Sequence, residues 1–148
     1  MSREWPPIPS LLPMARILIA EDEQVAREFL EYVLRQEGFT PILAADGEMA
    51  LNLARKERPD LILLDVMMPF MDGFEVLRRL KESPDTSAIP VIMLTACTGD
   101  ADTNIGFEIG AADYVEKPFS ITKLMARVRK ALRDSGVITD SSRQWPFK

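Results

Sequence analysis

Four segments of the 148-residue chain place polar or charged side chains directly after a short apolar run. Glu21 and Asp22 follow ARILIA, Asp65 ends DLILLD, Thr95 ends PVIMLT and Lys117 follows ADYVE. If the apolar runs are parallel strands, their carboxyl ends lie at one edge of the sheet, where open α/β sheets form their sites. The sequence therefore predicts one site that combines acids, a hydroxyl group and an ammonium group.

This combination of side chains suits phosphoryl transfer. Carboxylates gathered in one place repel one another unless a cation neutralises them, and oxygen ligands select Mg²⁺, Mn²⁺ or Ca²⁺ over zinc. Such an ion keeps positions for phosphate oxygens, while Lys117 adds a second positive charge and Thr95 a hydroxyl donor. A carboxylate is a competent nucleophile for forming an acyl phosphate, and catalysis would depend mainly on charge neutralisation and positioning.

Each of these residues also has an ordinary structural interpretation. Asp22 is a common residue type at a helix N-cap, and Glu21 would favour the positive end of a helix dipole. Asp65 could be a turn residue, Thr95 an unremarkable strand end and Lys117 a solvated surface lysine. The functional hypothesis rests on their conjunction, because one site explains four strand ends with a single assumption.

The composition of the chain narrows the chemistry further. The absence of histidine removes the commonest general base, the Ser-His-Asp triad and a phosphohistidine role for this chain. The single cysteine, Cys97, excludes an internal disulfide and fits a reducing compartment. A net charge of −5 disfavours direct binding to nucleic acid. With no membrane-spanning run and no signal-peptide core, we expect a cytoplasmic protein without membrane contact.

Apolar strands alternate with helical patterns along most of the chain. Strands this uniformly apolar are expected where helices cover both faces of a sheet, so we predict an α/β fold with a doubly wound, five-stranded parallel sheet. Strands are predicted at 15–20, 40–45, 60–65, 90–95 and 112–116, and helices at 23–38, 47–57, 73–82, 100–110 and 121–134.

The helical segments carry start signals and apolar faces. Asp46, Asp72 and Ser120 are predicted N-caps of the second, third and fifth helices, and Glu75 would complete a capping box with Asp72. The first helix is predicted to carry Val25, Ala26, Phe29, Leu30, Val33 and Leu34 on one face. We predict one domain over residues 15–134, a Pro-rich arm over 1–14 and a short polar tail over 135–148. Whether this domain stands alone or is a fragment of a longer protein stays open.

The chain resembles the receiver domain of two-component response regulators, which has the CheY-like fold. The resemblance covers about residues 15–134 and rests on the ED pair after the first strand, LLDVMMPFMDG, the LTA that ends the fourth strand and GAADYVEKPF. It implies a flavodoxin-like sheet of order 2-1-3-4-5 and a signalling role rather than an enzymatic one. It also implies a sensor histidine kinase or phosphotransfer protein as partner, with the downstream target and the choice between a monomer and a phosphorylation-dependent dimer left open.

The resemblance implies a role for each acid. Asp65 would accept the phosphoryl group from a phosphohistidine. Asp22, Asp65 and the main-chain carbonyl of Met67 would bind Mg²⁺, or Mn²⁺ in its place. Glu21 would assist through a bound water molecule.

The resemblance also implies a conformational switch. Thr95 would move to hydrogen-bond the phosphoryl oxygen, Lys117 would pair with the phosphate, and Tyr114 would swing between exposed and buried positions. The Lys117–Pro118 peptide bond would be cis. The surface formed by the fourth helix, the fifth strand and the fifth helix would change as a result.

Two features distinguish this chain from receivers attached to winged-helix transcription factors. Ala112 replaces the acid of their GADDY motif, and the segment ADTNIGFEIG has no lysine or arginine, so their charge-paired dimer is not expected here.

Met67 and Cys97 lie two positions after the acceptor and after Thr95, where side chains influence water access. Because neither orients a water molecule well, we predict a long-lived acyl phosphate.

Three other classes of protein share part of this pattern. A haloacid-dehalogenase-type phosphohydrolase would need a second acid two residues after Asp65, where this chain has Met67. A flavodoxin-like electron carrier would need a phosphate loop after the first strand, where this chain has the acidic AEDEQVA. A pseudo-receiver, which is an interaction module independent of phosphorylation, is disfavoured because all the expected site residues are present.

Overall fold

The computed structural model describes residues 15–96 and 107–138, and within these ranges five parallel strands form one sheet. The strand order is β2-β1-β3-β4-β5, which confirms the predicted doubly wound α/β fold. The strands are β1 (Arg16–Ala20), β2 (Thr40–Ala44), β3 (Leu61–Asp65), β4 (Val91–Thr95) and β5 (Asp113–Glu116). The helices are α1 (Gln24–Gln36), α2 (Gly47–Glu57), α3 (Gly73–Glu82), α4 (described at 107–109) and α5 (Ile121–Asp134).

Apart from α4, whose start lies outside the described residues, the observed elements agree with the predicted ones to within one or two residues at each end. Residues 1–14, 97–106 and 139–148 lie outside the described ranges, and they include the predicted arm, Cys97 and most of the predicted fourth helix and tail. Among the described residues, no helix has the length and apolarity needed to cross a membrane.

The two faces of the sheet are covered by different helices. Alternate residues of a strand point to opposite faces, so Leu61 and Leu63 of β3 pack with α1 and α5, whereas Ile62 and Leu64 pack with α2 and α3. All four of these side chains are fully buried. Burial on both sides explains the uninterrupted apolar run, and it makes β3 a rigid mount for Asp65 at its end.

The predicted caps begin three of the helices. The side chains of Asp46, Asp72 and Ser120 accept hydrogen bonds from the N–H groups of Met49, Glu75 and Lys123 at 2.8, 3.0 and 3.0 Å. The capping box is only half formed, because the Glu75 carboxylate pairs with Arg78 and Arg79 on the next turn.

The apolar face of α1 is only partly buried. Leu30, Val33 and Leu34 are buried, but Val25 is 81% exposed and Phe29 is 46% exposed. The sheet and α5 cover only part of the wide apolar stripe of this helix. Val25, Phe29 and the exposed Tyr32 follow each other at spacings of four and three residues, so they form an apolar ridge along its outer side.

Candidate functional site

Three carboxylates meet at the carboxyl ends of β1 and β3. One oxygen atom from each of Glu21, Asp22 and Asp65 lies within 4.8 Å of the others. Glu21 and Asp65 are almost fully buried, and Asp22 is partly exposed. β1 and β3 are neighbours in the sheet. The chain continues from β1 to β2 on one side and from β3 to β4 on the other, so the cluster occupies the topological switch point where α/β proteins bind ligands.

The structure excludes the N-cap interpretation of Asp22. Glu23 is the N-cap residue of α1, and its own side chain makes no capping hydrogen bond. The N–H group of Glu23 instead donates to Oε2 of Glu21 at 3.0 Å. Asp22 is therefore available as a ligand, and its carboxylate has no partner within residues 15–96 and 107–138.

Lys117 reaches the cluster from the end of β5. Its Nζ atom lies 3.0 Å from Oε1 of Glu21 and 3.4 Å from Oδ1 of Asp65. Its main-chain N–H donates to the carbonyl oxygen of Thr95 at 2.7 Å, which ties the ends of β4 and β5 together. The peptide bond between Lys117 and Pro118 is cis, the isomer that the resemblance implied.

The electrostatics of the cluster favour a bound cation. Burial and the charge of Glu21 raise the pKa of Asp65 from 3.8 to about 6, although Lys117 and the N–H of Met67 act in the opposite direction. Burial lowers the pKa of Lys117, but its hydrogen bond to Glu21 and the charge of Asp65 outweigh this and raise it, so the side chain remains an ammonium. One ammonium faces three carboxylates. This all-oxygen donor set with surplus negative charge fits Mg²⁺.

The remaining predicted residues lie around the cluster. Thr95 is buried at the end of β4, one position beyond the residue that pairs with Asp65 in the sheet. Met67 has an exposed side chain, and its N–H donates to Oδ1 of Asp65 at 3.3 Å. Tyr114 in β5 is half-buried, and its ring packs against Phe107 of α4 with centroids 5.2 Å apart at 58°.

The β3–α3 loop folds back closely on the site. The N–H of Gly73 donates to the carbonyl of Val66 at 2.8 Å, and a Cβ atom at Gly73 would lie 2.3 Å from the carbonyl oxygen of Asp65. At the tip, Phe70 is fully exposed with φ of 70°, and the N–H of Met71 donates to the carbonyl of Pro69 at 2.7 Å. This is a three-residue γ-turn.

Sequence reasoning missed the supporting residues of the site. Gly73 allows the loop to pack closely against Asp65, and Phe70 is the centre of the γ-turn. Both depend on backbone geometry, for which only Pro69 and the Asp72–Gly73 pair were signals in the sequence. Arg27 was also not predicted as part of the site. Its guanidinium contacts the segment that carries Glu21 and Asp22, but an arginine in a helix gives no signal of such a contact.

A buried carboxylate at the end of a central parallel strand, flanked by two acids and a lysine, defines a CheY-like α/β protein with an acidic pocket at the edge of its sheet. The chain belongs to the response regulator receiver domain family, whose family model matches residues 17–129.

Known relatives agree with this assignment. The chain is 43% identical over 136 residues to the alkaline phosphatase synthesis transcriptional regulatory protein SphR of Synechococcus elongatus, covering 86% of this chain and 52% of the relative. It is 48% identical over 118 residues to the DNA-binding response regulator MtrA of Mycolicibacterium smegmatis, covering 80% and 50%. The solved chemotaxis protein CheY4 of Vibrio cholerae is 32% identical with a TM-score of 0.77, covering 80% of this chain and 99% of that one. The chain spans about half the length of the curated relatives it matches.

Family membership determines the general function of this chain. Receiver domains are signalling modules that accept a phosphoryl group in two-component systems, partner with histidine kinases or phosphotransfer proteins, and bind Mg²⁺ through an acidic pocket. This chain is therefore a phospho-accepting receiver, and its relatives give no support to the pseudo-receiver or phosphohydrolase alternatives.

Proposed function

We propose that Asp65 is the phospho-acceptor of this receiver. The observation that carries the proposal is its place at the end of the central strand, buried and within 3.4 Å of Lys117. A carboxylate oxygen of Asp65 attacks the phosphorus of a phosphohistidine. A new O–P bond forms, the P–N bond breaks, and its electron pair goes to the imidazole nitrogen of the donor.

The neighbouring residues of the chain neutralise and orient the phosphoryl group. Asp22, Asp65 and the carbonyl of Met67 would hold Mg²⁺ or Mn²⁺, and Glu21 would assist through a water molecule. When bound, the ion supplies positive charge against the phosphoryl oxygens. Lys117 exchanges part of its pairing with the carboxylates for a contact with the phosphate. We propose no other reaction for this domain than its own phosphorylation and dephosphorylation.

Phosphorylation by a small donor tests this assignment. The full chain is incubated with acetyl phosphate and Mg²⁺, and intact mass is compared among wild type, Asp65→Asn and the matched surface change Asp85→Asn. We expect a gain of one phosphoryl group in wild type and Asp85→Asn, and none in Asp65→Asn. Labelling of Asp65→Asn at the wild-type level, or no labelling of the wild type, would overturn the assignment.

The phosphoryl group is proposed to act on a switch surface. Thr95 and Tyr114 are drawn inward on phosphorylation, which alters the surface of α4, β5 and α5. The packing of Tyr114 on Phe107 and the hydrogen bond between the ends of β4 and β5 give this switch a physical route. Beryllofluoride should shift the amide resonances of β5 and α5. Size measurement with and without beryllofluoride separates a monomer from a phosphorylation-dependent dimer.

The phosphodonor protein is proposed to dock beside α1. The apolar ridge of Val25, Phe29 and Tyr32 is exposed next to a cleft of about 280 Å³ that Glu21, Phe29 and Lys117 help to line. Any protein donor must cover this rim to reach the buried Asp65. Phe29→Ser should slow transfer from a phosphorylated kinase domain but leave labelling by acetyl phosphate unchanged. An equal effect on both donors would contradict the docking proposal.

The remaining proposals concern the chain as a whole. We propose a receiver over residues 15–134 with an arm and a tail at either end, acting in the cytoplasm on a downstream protein target. The net charge of −5 supports a domain that does not itself contact nucleic acid, although MtrA is named a DNA-binding regulator. The exposed Met67 is consistent with a long-lived acyl phosphate, and loss of phosphate within seconds would contradict it.

A further inference from the structure

Arg27 holds the segment that joins β1 to α1. Its Nη1 atom donates to the carbonyl oxygen of Glu21 at 2.8 Å and to that of Asp22 at 3.3 Å. These carbonyls belong to the two peptide units on either side of the Asp22 Cα atom. A single guanidinium nitrogen therefore restrains both backbone dihedral angles of Asp22, and with them the direction of its Cα–Cβ bond.

The other acid of this segment is fixed by different contacts. The N–H of Glu21 donates to the carbonyl of Ala44 at 3.1 Å, and the Glu21 carboxylate accepts hydrogen bonds from Lys117 and from the N–H of Glu23. The Asp22 carboxylate has no comparable contact among the described residues. The direction of the Asp22 carboxylate therefore depends on the backbone conformation of Asp22, which Arg27 restrains.

The charge of Arg27 has the wrong sign to assist a cation directly. Both hydrogen bonds go to main-chain oxygens, whereas Lys117 pairs with the carboxylates themselves. A positive charge beside a cation site weakens binding by Coulomb repulsion. Replacing Arg27 by a neutral residue should therefore raise the affinity for the cation if its charge matters, and lower that affinity if its positioning of the backbone matters.

We infer that Arg27 is a positioning residue that aims the Asp22 carboxylate at the divalent cation. The inference rests on the proposed cation site formed by Asp22 and Asp65. Partners of metal ligands that do not touch the ion commonly change metal affinity by about 10- to 100-fold when removed.

Titration of the full chain with Mg²⁺ alone tests this inference without any phosphorylation step. Affinity is measured by calorimetry, and the Asp22 amide resonance is followed by NMR, at low salt and at about 0.15 M salt, where surface charge effects are screened within about 8 Å. Arg27→Met should bind Mg²⁺ about 10-fold more weakly at both salt concentrations. Arg27→Lys should lie nearer to the wild type. The matched control Arg35→Met, at the exposed far end of α1, should bind like the wild type.

Tighter or unchanged Mg²⁺ binding by Arg27→Met overturns the inference, even if the variant unfolds more easily in urea. If Arg27→Met does not fold, Arg27→Gln decides the matter by the same criterion. Asp22→Asn separates this inference from the proposed site. If Asp22→Asn binds like the wild type, the proposed cation site fails. If Asp22→Asn binds weakly and Arg27→Met does not, only the role of Arg27 fails.

Discussion

Replacing Asp65 by asparagine should stabilise the protein when divalent cations are absent. Burial and Glu21 raise the pKa of Asp65 from 3.8 to about 6, so the folded state holds this proton more tightly than the unfolded chain does. Ionised Asp65 therefore lowers stability above about pH 6, and the penalty disappears as the pH falls through about 6 towards 3.8. A rise of about 2 pKa units corresponds to about 3 kcal/mol. Because asparagine accepts a weaker hydrogen bond from Lys117, we expect a net gain of about 1 to 3 kcal/mol.

Urea unfolding of the full chain in the presence of a chelator measures this gain. At about pH 7.5 the unfolding free energy of Asp65→Asn should exceed that of the wild type, and the difference should vanish near about pH 4. The control Asp85→Asn removes a carboxylate whose side chain is 61% exposed, so its effect should stay within about 0.5 kcal/mol at either pH. A destabilised Asp65→Asn, or a difference that does not change with pH, would refute the reasoning. Added Mg²⁺ should narrow the difference by stabilising only the wild type.

Three further substitutions test the surroundings of the site. Lys117→Met should lower the free energy of unfolding in urea by about 2 to 4 kcal/mol, because buried Glu21 loses its ammonium partner. A loss below about 1 kcal/mol would mean that solvent already screens the ion pair. Gly73→Ala should cost about 2 to 3 kcal/mol in the same assay, because its Cβ would lie 2.3 Å from the carbonyl oxygen of Asp65; a neutral effect would show that the loop adjusts freely. Phe70→Gly should keep or raise the melting temperature, since it relieves a positive φ of 70° under an exposed ring; a marked decrease would contradict this.

The sequence was sufficient to predict the sheet and the clustering of three acids at its edge. A strand buried on both faces, such as β3, can be predicted from its uninterrupted apolar run. Because the strands are parallel, Asp65 then lies at the same edge of the sheet as Glu21 and Asp22. The apolar pattern of α1 does not tell which part of a wide apolar face the sheet will cover. The exposure of Val25 and Phe29 could therefore not be predicted from it.

The contacts that refine the site depend on tertiary geometry and leave no periodic trace. Lys117 comes from the edge strand β5, and only the structure shows that its Nζ atom reaches both Glu21 and Asp65. The hydrogen bonds of Arg27 to two carbonyl oxygens depend on how α1 turns back over the end of β1. The order of the strand ends predicts that Lys117 lies at this edge, but no spacing rule predicts which carboxylates its Nζ atom contacts or which carbonyls Arg27 binds.

The burial that makes Asp65 rigid also sets its reactivity. As the proposed acceptor, Asp65 must be ionised to attack phosphorus, and a pKa of about 6 leaves it about ten-to-one ionised at pH 7. Lys117 opposes the effects of burial and Glu21, so without its charge the pKa would rise towards neutrality and the nucleophile would be partly protonated. The lysine thus acts before any phosphate arrives. It keeps a buried carboxylate ionised, and a cation held by Asp22 and Asp65 would offset further the energetic cost of burying that charge.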